Sequence, residues 1–148
     1  MTDLDNDSRR SSLPYVHPCR VQFYHTDPAG YVFFARFFEM FQAGIEGWFD
    51  HSLERPYAQI LHERREGLPT ARTECDFLVP TKFGEVLDLA VVPERVGKSS
   101  ITIRFEGRVG DELRLRARSV LVLIDLNNGR PVALDSDLKQ RIAAQINE

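Results

Sequence analysis

The 148-residue sequence predicts an α+β fold in which an antiparallel β-sheet wraps around one long central α-helix. Two observations carry this prediction. Large apolar side chains recur three or four residues apart over residues 34–48, which is the spacing of one helix face. Four segments rich in β-branched and aliphatic residues then follow one another with short breaks, as the strands of a single sheet do.

The helical segment is strongly aromatic along one face, so we expect that face to be buried against the sheet. Ala43, Gly44 and Gly47 interrupt it with small residues, which weaken a helix but let another backbone approach closely. Shorter helices are predicted over residues 57–65 and 135–146. The residues of the aromatic face are Phe34, Phe37, Phe38, Phe41, Ile45 and Trp48.

The predicted strands lie at residues 19–24, 73–79, 85–92, 99–109 and 112–125. The first alternates between polar and apolar side chains until a run of turn-forming residues stops it. The last two are separated by Gly110 and Asp111 alone, a break that favours an antiparallel hairpin over a parallel βαβ unit.

Composition indicates a single domain at residues 15–148 after a polar tail at residues 1–14. The formal net charge is -3 and no basic tract interleaves with aromatic residues, so nucleic acid is not an expected partner. No segment resembles a membrane span or a signal peptide, so we expect a cytoplasmic protein without membrane contact. Cys19 and Cys75 lack the spacing of a zinc or redox site and are expected to be reduced core residues.

The turn around Asp27 is the segment with the clearest chemistry. Pro28 presets φ at the second position of a tight turn, and Gly30 tolerates the positive φ that closes it. Asp27 is thereby held between a strand and the long helix, whose first amides, around Phe33 and Phe34, have no partners within the helix. A carboxylate that faces such free N–H donors is the arrangement that acyl transfer requires.

A purely structural role for Asp27 is the alternative, since most Asp-Pro-x-Gly sequences use the aspartate only to cap a turn or a helix. His25 also has two interpretations. A neutral imidazole two residues before the carboxylate could relay a proton, but we favour a histidine at the rim of the site or at an interface. No metal site is predicted, because none of the histidines has ligand partners at useful spacing.

The wider segment closely resembles the signature of the 4-hydroxybenzoyl-CoA thioesterase family of the hotdog superfamily. A strand ends in aromatic residues, the sequence Asp27-Pro28-Ala29-Gly30 follows, and a valine with two aromatic residues then starts the helix. The resemblance extends more loosely over residues 16–125. It implies a hotdog fold and the hydrolysis of an aryl, 4-hydroxybenzoyl-like acyl-CoA to the free acid and coenzyme A, without a metal or redox cofactor.

By this resemblance Asp27 is the catalytic carboxylate, acting as nucleophile or as general base. The backbone N–H of Phe34 falls where the family polarises the thioester carbonyl, and a backbone donor leaves the side chain free to vary. The substrate-binding residues expected around the turn are Tyr24, His25, Gly30 and Phe33.

Further substrate-binding residues are expected away from the turn. Gln42 occupies the helix position where the 4-hydroxybenzoyl enzymes are expected to place a carboxylate near the ring hydroxyl, and an amide can also hydrogen-bond a phenol. Lys98 and Ser99 fall in a segment that the family uses for the nucleotide phosphates, and Arg95 lies close by. A solvated surface is the alternative role of these polar residues.

Two other functions stay open at this point. One is a broad short-chain acyl-CoA or acyl-carrier thioesterase of the same fold, and the other is a protein that binds an acyl thioester without cleaving it. In every case the resemblance implies a homodimer with sites at the subunit boundary, paired into a homotetramer, since one sheet edge needs a partner strand.

Overall fold

The computed structural model describes residues 13–146, which form an antiparallel sheet with helices packed against it. Its elements are β1 (Tyr15–Arg20), α1 (Arg36–Gly47), α2 (Tyr57–His62), β2 (Glu66–Gly67), β3 (Thr70–Phe77), β4 (Val86–Val96), β5 (Ser100–Val109), β6 (Glu112–Val122), β7 (Ile124–Asp125) and α3 (Ser136–Ala143). Five strands lie side by side in the order β1-β4-β5-β6-β3, and β2 pairs with β7 separately. The predicted α+β class and antiparallel sheet are confirmed.

The core lies between α1 and the sheet face that this helix covers. Successive side chains of a strand point to opposite faces, so every second residue of the central strands reaches this layer. From α1, Phe41 stacks on Phe105 with the two ring centroids 4.8 Å apart. Full burial of a large apolar side chain contributes about 1.5–3 kcal/mol, so this layer holds the helix on the sheet. Its strand residues are Leu87, Leu89, Val91, Ile101, Ile103, Phe105, Leu115, Ala117 and Leu121.

The central helix is shorter than the sequence predicts. α1 has 12 residues, so the prediction of one long helix is wrong in its length. On the N-terminal side Val32 still forms a β-bridge with Thr26, and the helix begins only at Arg36. On the C-terminal side a π-helical turn, Trp48–Ser52, takes over.

The aromatic face of this segment is only partly buried, which also corrects the prediction. Phe34 and Phe38 are 56% and 40% exposed. Phe34 precedes the first helical residue, so its side chain does not follow the helix face. The members that do point into the core are Phe37, Phe41, Ile45 and Trp48.

The small residues of α1 permit the close approach that the sequence predicts. A Cβ on Gly44 would lie 3.0 Å from Leu89 Cδ2, and one on Gly47 would overlap the Tyr15 hydroxyl. That hydroxyl is itself hydrogen-bonded to His17 Nδ1 at 2.9 Å. Both glycines therefore let the helix backbone lie directly on β1 and β4.

The strands after residue 70 are confirmed to within a few residues, but the predicted first strand at residues 19–24 is wrong. β1 ends at Arg20, and Phe23–His25 forms a short 3-10 turn. Local hydrogen bonds explain the difference: Gln22 N–H donates to His25 Nδ1 at 2.8 Å, and Thr26 N–H donates to Phe23 O at 3.0 Å. Such local bonds compete with the ladder of a strand.

The two cysteines are free thiols; Cys19 is buried in the core as the sequence predicts, whereas Cys75 is only partly buried. Burial raises the pKa of each to about 11, so both stay protonated and weakly reactive near neutral pH.

Among the helices of residues 13–146, none has both the length and the apolar character needed to cross a membrane. Of the predicted tail at residues 1–14, residues 1–12 lie outside the described part of the chain.

A network of ion pairs fastens α3 to the rest of the chain. Asp135 caps this helix by accepting a hydrogen bond from Leu138 N–H at 2.8 Å. The same carboxylate accepts two bonds from Arg55, both at 2.8 Å, and one from Arg64 at 2.7 Å. The Arg55 guanidinium is the main cause that holds the pKa of Asp135 well below its usual range.

Replacing Asp135 by Asn keeps an acceptor at the helix cap but removes the charge that both arginines share. We expect the free energy of unfolding near neutral pH to fall by about 1–3 kcal/mol. Because the folded-state pKa is depressed, the contribution of Asp135 is present above the ordinary carboxyl pKa of about 4 and is lost progressively as pH falls below it. Urea unfolding of both proteins near neutral pH and near pH 3 measures this difference.

The control is Asp137→Asn, which alters an exposed carboxylate of the same network and should change stability little. A difference between wild type and Asp135→Asn that stays equally large in acid would contradict the assignment.

Candidate active site

The turn that carries Asp27 is closed by its own backbone hydrogen bonds. Asp27 N–H donates to Tyr31 O at 2.8 Å, and Gly30 N–H donates to Asp27 O at 3.0 Å. Gly30 has a φ of 83°, which confirms the predicted need for glycine. A residue with a Cβ loses about 1–2 kcal/mol in the left-handed region, so the turn depends on Gly30.

One oxygen of the Asp27 carboxylate has a structural role. Oδ1 accepts hydrogen bonds from Ala29 N–H at 2.9 Å and from Tyr31 N–H at 3.2 Å, which is the turn-capping role. Oδ2 accepts no hydrogen bond from residues 13–146, and no cluster of three or more potential metal ligands occurs within the same residues. Capping therefore occupies only one of the two carboxylate oxygens.

The amide of Phe34 is the free donor that the sequence predicts. Its N–H finds no acceptor within the described residues, whereas its carbonyl accepts from Phe37 N–H at 3.2 Å. Phe34 thus opens the first turn of the α1 segment, where amides lack acceptors within the helix. The amide of Phe33 is not free, contrary to prediction, because it donates to His25 O at 2.9 Å.

Residues 78–85 connect β3 to β4 and support the Asp27 turn; we term them the platform loop. Val32 N–H donates to Thr81 O at 2.8 Å, and Phe83 N–H donates to Gly30 O at 3.0 Å. An antiparallel β-bridge lies between these two bonds. The sequence shows this loop only as a short break with Pro80 and Gly84, and backbone contacts of this kind leave no side-chain signature.

An apolar cavity of about 340 Å³ opens beside Phe34. This volume falls in the usual range of ligand pockets. The ring centroid of Phe77 lies 6.4 Å from that of Phe34 and 5.4 Å from that of Phe37. Sequence reasoning missed the contributions of the end of β3 and of the platform loop. The walls include Tyr31, Phe34, Phe37, Phe77, Val79 and Thr81.

Gln42 does not line this cavity. It lies instead in a second cavity of about 150 Å³ with Phe38, Thr73 and Ser119. The hydroxyl oxygens of Thr73 and Ser119, which both line this second cavity, lie 3.0 Å apart. Within one chain, Gln42 and the cavity beside Phe34 are therefore separate, and the predicted role of Gln42 at a site between subunits stays a prediction.

His25 is buried, at 8% exposure, and not at the rim that the sequence predicts. Its Nδ1 accepts the Gln22 N–H, which assigns the proton of the neutral ring to Nε2. Tyr24 is 64% exposed, and its ring centroid lies 4.1 Å from that of the imidazole. Phe33 is 48% exposed. None of these three side chains lines the apolar cavity.

Arg95, Lys98 and Ser99 lie at or near the hairpin between β4 and β5, far from the Asp27 turn within one chain. β4 begins at Val86 beside the platform loop and ends at Val96. At about 3.3 Å per residue, the hairpin is on the order of 30 Å from the turn. A single chain therefore does not bring these residues to the reacting groups, and their predicted role at a site between two subunits stays a prediction.

Comparison with known proteins gives this geometry a family context. The sequence profile of the thioesterase-like superfamily matches residues 21–142. A thioesterase-superfamily protein from Jannaschia sp. CCS1 superposes with a TM-score of 0.84 at 22% identity, over 91% of this chain and 94% of that chain. A 1,4-dihydroxy-2-naphthoyl-CoA thioesterase from Synechocystis gives 0.78 at 22% identity, over 87% and 95%. A gentisyl-coenzyme A thioesterase gives 0.80 at 16% identity, over 86% and 99%.

The tautomer and the burial of His25 can be tested by NMR. Burial opposes the charged ring and lowers its pKa, so we expect a titration midpoint below the ordinary value of about 6.5. The neutral ring should carry its proton on Nε2. Because the folded-state pKa is depressed, the stability contribution of the neutral ring is present above that ordinary value and is lost as pH falls.

Long-range nitrogen–proton correlation across a pH series measures both properties. The His25→Gln variant identifies the signal by its loss. A proton on Nδ1, or a midpoint above the ordinary value, would contradict the arrangement.

Proposed function

Because the chain belongs to the thioesterase-like superfamily and is a thioester hydrolase, we propose that it hydrolyses the coenzyme A thioester of a compact aromatic acid. One observation carries the proposal. The turn of Asp27 leads directly to Phe34, whose N–H has no acceptor within residues 13–146 and whose side chain lines an apolar cavity. A carboxylate, an oxyanion donor and a dry pocket are the parts that thioester hydrolysis needs.

In the proposed reaction Asp27 Oδ2 acts at the thioester carbonyl while Phe34 N–H hydrogen-bonds the carbonyl oxygen. As a nucleophile, Asp27 forms a mixed anhydride and expels the coenzyme A thiolate, which takes a proton from water; a second water then cleaves the anhydride. As a general base, Asp27 takes a proton from the water that attacks the same carbon; the tetrahedral intermediate then expels the coenzyme A thiolate, which takes that proton from Asp27. On either route negative charge grows on the carbonyl oxygen. A hydrogen-bond donor to this oxygen lowers the activation free energy by about 3 kcal/mol.

The acyl group is proposed to occupy the apolar cavity. Its aromatic walls and its volume of about 340 Å³ suit a ring better than a long flexible chain. Two structures of similar fold are thioesterases of aromatic acyl-CoA esters, namely the naphthoyl and the gentisyl enzymes. Together with the Asp27-Pro28-Ala29-Gly30 turn, these features support a place in the 4-hydroxybenzoyl-CoA thioesterase branch.

A homodimer built on β3 is part of the proposal. The sheet has two edges, and β1 carries Pro18, a residue that blocks further strand pairing. β3 is eight residues long, contains no proline and exposes most of its side chains. A long unprotected edge of this kind is a template for an identical strand, so we propose antiparallel pairing of β3 with its copy.

This pairing accounts for the residues that one chain leaves apart. Thr73 of the second cavity precedes Phe77 of the apolar cavity along β3. Antiparallel pairing sets the start of one β3 beside the end of its copy, and so brings the Gln42 cavity of one subunit towards the Asp27 turn of the other. Lys98, Ser99 and Arg95 then approach from the far end of the partner sheet, where we propose that they meet the phosphates of coenzyme A.

Two such dimers are proposed to pair into a homotetramer, in line with the family resemblance. We place the enzyme in the cytoplasm, where the free thiols of Cys19 and Cys75 persist. No metal or redox cofactor takes part in the proposed hydrolysis.

The reaction is tested by thiol release from benzoyl-, 4-hydroxybenzoyl-, phenylacetyl- and short alkyl-CoA esters, with wild type beside Asp27→Asn. Asparagine retains an oxygen that can accept the Ala29 and Tyr31 N–H groups, so the turn and the thermal unfolding temperature should persist. Turnover should fall by about a hundredfold or more, because the amide can neither attack nor take a proton. We expect the aryl esters to be the better substrates.

Asp111→Asn, at the exposed β5–β6 hairpin, is the matched control and should turn over like wild type. An active Asp27→Asn enzyme would reduce Asp27 to a turn cap. Equal turnover of alkyl esters favours a broad thioesterase, and coenzyme A binding without thiol release favours a binding protein.

The β3 edge is tested by Ala71→Pro. Ala71 stands at a bulge, where Thr70 and Arg72 pair with β6 but Ala71 has no β6 partner in the ladder. Proline there should block pairing with another β3 and spare the β3–β6 ladder. Light scattering should give two or four times the chain mass of 17.0 kDa for wild type and the mass of one chain for the variant.

Ala71→Ser keeps the N–H and should assemble like wild type. A wild-type monomer, or an Ala71→Pro protein with unchanged mass, would rule out assembly through β3.

A further inference from the structure

We propose that Arg114 and Glu85 form a positioning pair that fixes the platform loop and, through it, both reacting groups of the site. Neither residue contacts the substrate in this proposal; each acts through the backbone that carries Asp27 and Phe34. The inference rests on the proposed function for its catalytic consequence, but its structural part is measurable without any substrate.

Arg114 projects from β6 into the platform loop. Nη1 donates to Pro80 O at 2.9 Å and to Glu85 Oε1 at 3.0 Å, and Nη2 donates to Glu85 Oε2 at 2.8 Å. Nε lies 2.5 Å from an oxygen of Glu112. The side chain is only 11% exposed, so these bonds are better shielded from water than those of an ordinary surface ion pair.

Glu85 closes the loop on itself from the other side. Besides the two bonds from Arg114, its Oε1 accepts Lys82 N–H at 2.7 Å, and its own N–H donates to Lys82 O at 3.1 Å. The Arg114 guanidinium is the main cause that lowers the pKa of Glu85, so the carboxylate is charged at neutral pH. A bidentate Arg–carboxylate contact of this kind determines both the distance between the two side chains and their relative orientation.

A short chain of contacts leads from this pair to the reacting groups. Pro80 O is held by Arg114, and the next carbonyl, Thr81 O, accepts Val32 N–H at 2.8 Å. Val32 stands two residues before Phe34, whose N–H is the proposed oxyanion donor. On the other side of Val32, Tyr31 N–H holds Asp27 Oδ1 at 3.2 Å.

Loss of the pair should therefore move the carboxylate and the oxyanion donor relative to each other. A displacement of about 1 Å at reacting groups can cost a hundredfold in rate, so we expect kcat to fall by about 10- to 100-fold. KM should rise by less than kcat falls, because only the platform-loop part of the cavity wall is released while the aromatic wall remains.

β6 supplies a matched control. Arg118, four residues along the same strand, makes a bidentate contact with Glu94 at 2.8 and 3.2 Å, at a more exposed position (56% exposed). That contact joins β6 to β4 and does not touch the platform loop. Arg114→Met and Arg118→Met thus remove the same chemical group from one strand, but only the first releases the loop.

The first measurement is amide hydrogen exchange in full-length wild type, Arg114→Met and Arg118→Met. The N–H groups of Val32 and Phe83, which tie the turn to the platform loop, should exchange about tenfold faster or more in Arg114→Met, and at the wild-type rate in Arg118→Met. Unchanged exchange at both amides in Arg114→Met would overturn the proposal whether or not the enzyme has been matched to a substrate.

The second measurement separates kcat from KM on the best aryl ester. Arg114→Met should lose mainly kcat, with a smaller change in KM. Arg114→Lys should recover little because one ammonium cannot reach both Glu85 oxygens and Pro80 O, and Arg118→Met should match wild type. Glu85→Gln combined with Arg114→Met should be no slower than Arg114→Met alone, since both act at one step.

An Arg114→Met enzyme with wild-type kcat, alongside an inactive Asp27→Asn enzyme, would overturn the positioning role and leave the proposed function standing. Absence of thiol release from wild type would overturn the proposed function, while the exchange rates would still decide whether the pair holds the turn.

Discussion

The docking of the Asp27 turn onto the platform loop is the contact on which the whole site depends. The turn is part of the connection between β1 and α1. Its internal hydrogen bonds determine its conformation but not its position relative to the sheet. Its position is determined by the backbone hydrogen bonds from Val32 N–H to Thr81 O and from Phe83 N–H to Gly30 O. Phe34 follows the turn directly and precedes α1. The same bonds therefore also determine where the helical segment starts and in which direction the free N–H of Phe34 points.

Asp27 shows how a structural and a chemical role can coexist in one side chain. One carboxylate oxygen accepts two backbone N–H groups, and this holds the group in a single direction. The other oxygen has no partner among the described residues, so the same carboxylate remains available for chemistry. A fixed carboxylate loses less freedom when it reacts, which is the advantage of placing it in a capped turn rather than on a flexible chain.

The exposed β3 edge links the fold to the proposed site. Along this strand the apolar cavity beside Phe34 lies at one end and the Gln42 cavity lies towards the other. A two-fold axis through antiparallel β3 strands would exchange these ends between subunits. The separation of Gln42, Lys98 and Ser99 from Asp27 within one chain would then follow from the proposed assembly of the site from two chains.

The sequence by itself determined the α+β class, the antiparallel strands after residue 70, and the Asp27 turn with its need for glycine at position 30, because these follow from periodicity and from local steric limits. The start of the helix pointed to free amides around Phe33 and Phe34, and the family resemblance singled out the N–H of Phe34. Only the tertiary structure decided the short length of α1, the burial of His25, the engagement of the Phe33 amide and the support of the turn by the platform loop. Each of these depends on hydrogen bonds between segments or on competition among local bonds, and such contacts leave no periodic pattern in the sequence.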